Sequence, residues 1–242
     1  MVLLILIIVA IAWWYYHASH SYSDSDYVKE CIAEGRDELQ IQSLRFFCNK
    51  NNGCIDHKMV SYKEYEEILS STLQKFDFKK MALDKIAIDE DELKEIEPVH
   101  FEGYVYDESL TRPKVNMAAS VKKVVIDTWY SSKYQVSWLF FSASQVFVYQ
   151  CTINTDKDDI KESTEEYFYK DITNFSTVSG TVEIPKMMDT DEYTDVEKKI
   201  NVNRFTITVP GDKYYCTLEQ SDYTERAIQG MKSLLRDKKN NG

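Results

Sequence analysis

Glycine and proline are scarce in this chain, 7 and 4 of 242 residues, which excludes a collagen-like repeat and any proline-rich or glycine-rich low-complexity stretch. Lysine and arginine are missing from the first 28 residues and nowhere form a run of five. With 29 basic against 40 acidic residues the net charge is −11, a balance that repels phosphate backbones and argues against nucleic acid as a partner. There is no Gly-x-Ser-x-Gly elbow, no phosphate-binding Walker loop, no His-Glu-x-x-His and no dinucleotide glycine pattern, so no reaction and no cofactor is indicated. Five cysteines at irregular spacing (Cys31, Cys48, Cys54, Cys151, Cys216) fit a reducing compartment better than a disulfide framework, although Cys48 and Cys54 can close a small loop. What is present is enough apolar side chain, 43% with 13% aromatic, to bury a core.

Residues 1–17 carry no charged side chain and hold an apolar block that includes Leu3, Leu4, Ile5 and Ile8, followed by Trp13, Trp14, Tyr15 and Tyr16. A hydrocarbon core of about 30 Å takes roughly 20 helical residues, so the block is short. Its closing aromatic cluster nevertheless matches an interfacial belt. It reads as an uncleaved membrane anchor. A cleaved signal peptide is the rival, but it normally carries a basic n-region, which this sequence lacks. The first basic residues, Lys29 and Arg36, follow the block, which favours a single-pass protein with its body in the cytoplasm. Residues 18–26 are small and polar, a tether.

Residues 27–98 read as a helical module. Val28, Cys31, Ile32, Leu39 and Leu44 recur at spacings of one helix face, and Asn49 to Gly53 end it. Ser61 with Glu64 is a capping-box pair opening a helix whose stripe is Tyr65, Ile68, Leu69, Leu73 and Phe76. Asp89 with Glu92 repeats the signature for a short helix closed by Pro98.

Near Val99 the period changes from about 3.6 to 2. Strands are expected near 100–106, 121–130, 134–142, 145–153, 165–173, 177–184, 203–209 and 213–218, paired antiparallel with one buried face. Pro210-Gly211-Asp212 has the chemistry of a tight hairpin turn. Trp129, Tyr130, Trp138, Phe140 and Phe141 are core candidates. A last helix is expected with Asp222 as N-cap, Glu225 at its third position and the stripe Ala227, Ile228, Met231, Leu234 and Leu235, leaving 239–242 as a tail. The fold class is therefore α+β. The polar, acidic stretches 154–164 and 186–199 read as mobile loops.

Antiparallel strands followed by one amphipathic C-terminal helix, with the stretch Tyr169-Lys-Asp-Ile-Thr-Asn-Phe175 and the strand Phe205-Thr-Ile-Thr-Val209 before a glycine turn, resemble the small bacterial pleckstrin-homology-like (PH-like) and GRAM-like domains. The likeness covers residues 99–238. It implies an antiparallel barrel or sandwich plugged by the helix, acting as a binding module without catalysis. The same resemblance places phosphoinositide contacts on the loops between early strands, where Arg112, Lys114, Lys122 and Lys123 lie, with Glu102, Asp107, Glu108 and Asp127 close by in sequence. Solvated strand ends are the plainer reading of these four. An acidic chain suits a protein or peptide partner at a sheet edge better than an anionic lipid.

One metal pattern stands out. Asn154, Asp156, Asp158, Glu162 and Glu165 fall on positions 1, 3, 5, 9 and 12 of a calcium loop, but position 6 is Asp159 where the turn needs glycine, and strands flank it. Cys48, Cys54 and His57 give three zinc-type ligands without a fourth. The sequence thus points to a membrane-anchored, non-enzymatic protein that presents a PH-like domain to a protein or lipid partner. An exported, membrane-tethered binding protein and an enzyme with a site between helices and barrel are the alternatives.

Overall fold

In the computed structural model the described residues are 24–48, 60–88, 92–93, 96–106, 121–125, 128–184 and 198–240. The expected anchor at 1–17, the cluster at 49–53 and the start of the helix at Asp89 lie outside them. Among the described residues no helix is long and apolar enough to cross a membrane. The chain divides into two compact units that meet between Thr72 and Leu73.

The first unit is helical. What reads as one helix from Tyr27 to Phe47 is two, α1 (Asp26–Ala33) and α2 (Glu38–Cys48). The break is at Gly35, whose φ of +82° suits a residue without Cβ. Its N–H donates to Ile32 O (3.1 Å) and that of Arg36 to Cys31 O (3.3 Å), the paired bonds of a Schellman stop. The redirection leaves Ile32 exposed while Val28, Cys31, Ile41 and Leu44 pack together. A capping box then starts α2: Gln40 N–H donates to Asp37 Oδ1 (2.8 Å) and Asp37 N–H to Gln40 Oε1 (3.3 Å). The expected box opens α3 (Tyr62–Leu73), with Ser61 N–H on Glu64 Oε2 (2.7 Å) and Glu64 N–H on Ser61 Oγ (3.3 Å). Tyr65 of α3 stacks on Phe46 at 4.4 Å between ring centres. The buried Arg45 grips Asp24 through two bonds of 2.9 and 3.0 Å.

The second unit carries a helix not foreseen in the sequence, α4 (Phe78–Ile86), capped by Asp77. It packs on strands of the sheet domain, which therefore draws in residues well before 98. Among the described residues nine strands follow: β1 (Val99–Tyr104), β2 (Val121–Val125), β3 (Thr128–Ser131), β4 (Lys133–Phe141), β5 (Gln145–Asn154), β6 (Ile160–Phe168), β7 (Asn174–Ile184), β8 (Lys198–Val209) and β9 (Asp212–Thr217), then α5 (Asp222–Asn240). They form three antiparallel sheets, β1-β4-β5-β6, β2-β3 and β7-β8-β9. The α+β class and the C-terminal helix stand, but none of these sheets closes into a barrel.

The four-stranded and three-stranded sheets and α5 share one core. Phe101, Leu139, Phe141, Val146 and Val148 meet Phe175, Phe205, Ile207 and Cys216, and Ile228, Met231 and Leu235 of α5 join them. Tyr169 and Ile172, from the stretch that carries the PH-like resemblance, are buried in the same core, although they belong to the turn between β6 and β7 and not to a strand. Helix α5 starts one residue earlier than its acidic cap signal implies: Thr224 N–H donates to Ser221 Oγ (3.2 Å) and Ser221 N–H to Thr224 Oγ1 (2.9 Å). Gly211 of the β8–β9 turn has φ +86°, as the Pro-Gly pair requires. Strands β4 and β5 are buried on both faces, one against the shared core and the other, with Phe140, Phe147, Tyr149 and Cys151, on the side where α4 packs. Residues 121–130, expected as one strand, are the hairpin β2–β3, whose register shifts between Lys123 and Val125.

Candidate functional site

The acidic stretch after Asn154 is mostly strand. β6 pairs along all nine residues with β5, from Ile153↔Ile160 to Gln145↔Phe168. It is the last strand in its sheet. Every residue from Ile160 to Glu166 is exposed, as is Phe168, and the apolar ends Ile160 and Phe168 are 50% and 49% accessible. The bonds that bracket the hairpin, Asn154 N–H to Asp159 O and Tyr169 N–H to Ser144 O, both 3.1 Å, fix its alternation. In an antiparallel ladder, Lys161, Ser163, Glu165 and Tyr167 then exchange bonds with β5. Ile160, Glu162, Thr164, Glu166 and Phe168 turn their N–H and C=O outward. Among the described residues no further strand takes up those groups.

Side chains on β6 sort by the same period of two. Glu162 lies opposite Cys151 on the α4 side, where Tyr149 Oη donates to its Oε1 at 2.7 Å and Lys85 Nζ stands 3.5 Å from its Oε2. Burial, together with this bond to a carboxylate, pushes the Tyr149 hydroxyl well above the ordinary tyrosine range. Glu165 lies opposite Val148, on the core side. The calcium pattern is thereby dispersed: Glu162 and Glu165 occupy opposite faces, and Asn154 Oδ1 accepts from Asp156 N–H at 3.2 Å. Asp156 is buried and Asp158 is exposed in the turn. Among the described residues no group of three or more His, Cys, Asp or Glu is arranged to hold a metal ion. Cys54 and His57 of the zinc-type trio are not among the described residues.

On the core side the hairpin's root is polar. A pocket of about 210 Å³ is lined by Val105, Lys133, Gln135, Thr152, Asn154, Asp159 and Lys161 and by Ile153. The inner face changes chemistry here because the three-stranded sheet ends: β9 stops at Thr217, whose N–H donates to Gln135 Oε1 at 2.8 Å. Beyond that bond the paired rows read Gln135–Thr152–Lys161 and Lys133–Asn154 in place of valine, leucine and phenylalanine. The sequence shows these residues only as the polar ends of strands.

Of the phosphate-contact candidates, Arg112 and Lys114 lie outside the described residues. Lys122 and Lys123 sit on β2 opposite Tyr130 and Trp129. The anchor residues Leu3, Leu4, Ile5, Ile8, Trp13 and Trp14 are likewise outside. Of the aromatic core candidates, Phe140, Phe141 and Tyr130 are buried, while Trp129 and Trp138 are half-buried. No protein family, no curated protein and no solved structure matches this chain.

Proposed function

We propose that the protein is a non-enzymatic binding module, held at a membrane by its N-terminal apolar block, whose sheet domain receives an extended basic segment of a partner protein along β6. The observation that carries this reading is an edge that no described strand covers: five outward-facing residues on an exposed strand, able to hydrogen-bond an added strand of about 27–30 Å. With one lysine (Lys161) against three glutamates (Glu162, Glu165, Glu166) the strand has a net charge of −2, which selects lysine or arginine in the incoming segment. Ile160 and Phe168 offer apolar contacts at the two ends. The order of antiparallel strands and a C-terminal helix supports the PH-like reading, with partner choice set at an edge and not by basic loops.

Thr164→Pro is the direct test. Its N–H faces outward, so proline removes a donor for an added strand without removing a ladder bond. A labelled nonapeptide alternating lysine with valine should bind the full chain more tightly than its glutamate counterpart. The proline variant should lose at least about tenfold in affinity, while Thr164→Val, which keeps the donor, should not. Equal binding by wild type and Thr164→Pro, or no preference for lysine, overturns the proposal. The tether is tested separately. Gln229 is exposed on α5, and a Gln229→Cys variant should react with a membrane-impermeant thiol reagent only after cells are permeabilised; labelling in intact cells refutes a cytoplasmic body.

A further inference from the structure

The three-stranded sheet has an edge of its own at β7, and its chemistry is unlike that of β6. β7 is an outer strand of the sheet β7-β8-β9 and pairs with β8 without a register shift, from Asn174↔Thr208 to Ile184↔Lys198. Thr177 to Thr181 are all exposed. Leu218 N–H donates to Asn203 O at 3.1 Å, so Asn203 turns its backbone groups to the β9 side. Its neighbours on β8, Val202 and Arg204, therefore turn theirs to Gly180 and Val178 of β7. Thr177, Ser179 and Thr181 are left with N–H and C=O directed outward. Among the described residues no further strand takes up those groups.

We propose that a second copy of the chain occupies this edge, its β7 running antiparallel to the first about a two-fold axis at Ser179. Charge selects the occupant. Exposed edges are ordinarily guarded against their like by charged residues, proline, a bulge or shortness. β7 has none of these guards: no Asp, Glu, Lys, Arg or Pro stands between Asp171 and Glu183, in a chain of which 29% is charged. Two copies of net charge −11 can meet along such a stretch without bringing carboxylates together, and a basic segment gains no attraction from it. β6 differs, with Lys161, Glu162, Glu165 and Glu166 on its edge. Thr177, Val178, Thr181 and Val182 are β-branched, which suits a paired strand.

The position of the axis follows from register. With Ser179 opposite its own counterpart, Thr177 of each copy meets Thr181 of the other, and every outward N–H finds a C=O. An axis further along the strand brings Glu183 toward its own counterpart, and like charges directly opposite are destabilising. An axis at Thr177 draws in Thr173, whose carbonyl already accepts from Lys239 Nζ of α5 at 3.3 Å. The same register sets Val178 against Gly180 of the second copy. Val178 is 46% exposed, and a Cβ added at Gly180 would meet nothing within 4 Å. Packing within one copy therefore gives no reason for this glycine, which weakens a strand interior and marks places where another backbone approaches. A non-hydrogen-bonded pair brings facing Cα atoms to about 4.5 Å, so Val178 covers the bare backbone opposite.

The test uses the full chain in maltoside micelles. Wild type should sediment as a dimer at about 50 μM protein in density-matched analytical ultracentrifugation. Thr181→Pro removes an outward donor and no ladder bond, and the two-fold axis makes that loss count twice, so association should weaken by at least about tenfold. Thr181→Val, which keeps the donor, and Thr164→Pro on β6 should associate as wild type. Ser179→Cys should give a disulfide-linked dimer on oxidation with copper phenanthroline, above the wild-type background, because facing Cα atoms about 5.5 Å apart are within disulfide reach. Thr181→Cys, which faces Thr177 and not its own counterpart, should not. The proposal is overturned if wild type is monomeric, if Thr181→Pro dimerises as wild type does, if Thr164→Pro abolishes the dimer, or if the two cysteine variants cross-link alike. None of these results bears on the preference of β6 for a lysine peptide, which the peptide titration decides.

Discussion

At Gly103 strand β1 runs close against the end of β9, and replacing it measures that approach. A Cβ built there meets Thr217 Cγ2 at 2.9 Å, with Glu219 N at 3.6 Å and Leu218 C at 3.8 Å behind it. The threonine cannot easily yield. Its χ1 is stiff because it is β-branched, and its backbone is pinned by the bond from its N–H to Gln135 Oε1 and by the neighbouring bond from Glu219 N–H to Glu102 O (3.0 Å). Overpacking of this kind costs about 1–3 kcal/mol. Alanine returns about 0.4–1 kcal/mol by restricting the unfolded chain, since the backbone at Gly103 is not in the left-handed region. Gly103→Ala should therefore destabilise by about 1–2 kcal/mol, which for a unit of this size lowers Tm by about 3–6 °C. Thr217→Ser removes the obstructing methyl. In that background Gly103→Ala should be near neutral, a coupling of about 1–2 kcal/mol in a double-mutant cycle read by urea unfolding and near-UV circular dichroism. If Gly103→Ala is neutral or stabilising in the wild-type background, or costs the same in both, β1 and β9 are not in contact as described, and the floor of the pocket at Gln135 falls with them.

Two further outcomes follow from buried groups of the three-stranded sheet. Thr206 on β8 is 1% exposed and its hydroxyl has no hydrogen-bond partner among the described residues; Thr206→Val, similar in volume, should raise stability by about 1 kcal/mol, and a lower urea midpoint would refute the assignment. Burial pushes the Cys216 thiol up to about 12, with a bond to Ser137 opposing. The folded state therefore holds this proton more tightly than the unfolded state, so the stabilisation is complete below the unfolded pKa near 8.5–9 and is lost as pH rises toward 12. Stability should fall by up to about 1.4 kcal/mol per pH unit once pH passes 9, and Cys216→Ala should flatten the curve between 9 and 10. Above 10 the buried Tyr134 and the partly buried Tyr214 add a fall of the same sign because burial raises their hydroxyls too. An unchanged slope in Cys216→Ala would refute the assignment to this thiol.

How far these features can be read in the sequence depends on how many faces of an element are buried. The Ser61–Glu64 box, the Pro210–Gly211 turn and the stripe of α5 are local signals, carried by residues a few positions apart, and the structure has them where the pattern puts them. Strands β4 and β5 were legible as strands but not in their surroundings. A run such as Val136 to Phe141, apolar at nearly every position, means that both faces are covered, and only the chain fold reveals that α4 supplies the second cover. Helix α4 itself was hidden because Ala82 is its one buried side chain. The split of the first helix turned on a single glycine, outweighed in the pattern by the apolar positions on either side of it.

β6 is the opposite case, and it explains why the candidate site was the least legible part. A strand announces itself by alternating burial, and an edge strand exposed along its length has none. Ile160-Lys-Glu-Ser-Thr164 reads as the end of an acidic loop, and carboxylates along the stretch then imitate a metal site that the pairing to β5 scatters over two faces. The charges that erase the signal have a physical reason to be there. An uncharged exposed edge would pair with any other edge, including that of a second copy, whereas lysine and glutamate on the strand oppose self-association because each copy brings the same net negative charge. The same negative charge that repels a like edge attracts a basic one. Neutralising the edge with Glu165→Gln and Glu166→Gln should therefore do two things at once, weakening the lysine peptide and promoting self-association seen by analytical ultracentrifugation. If the variant loses the peptide yet stays as monodisperse as wild type, the glutamates serve recognition alone and the edge is protected by something other than charge.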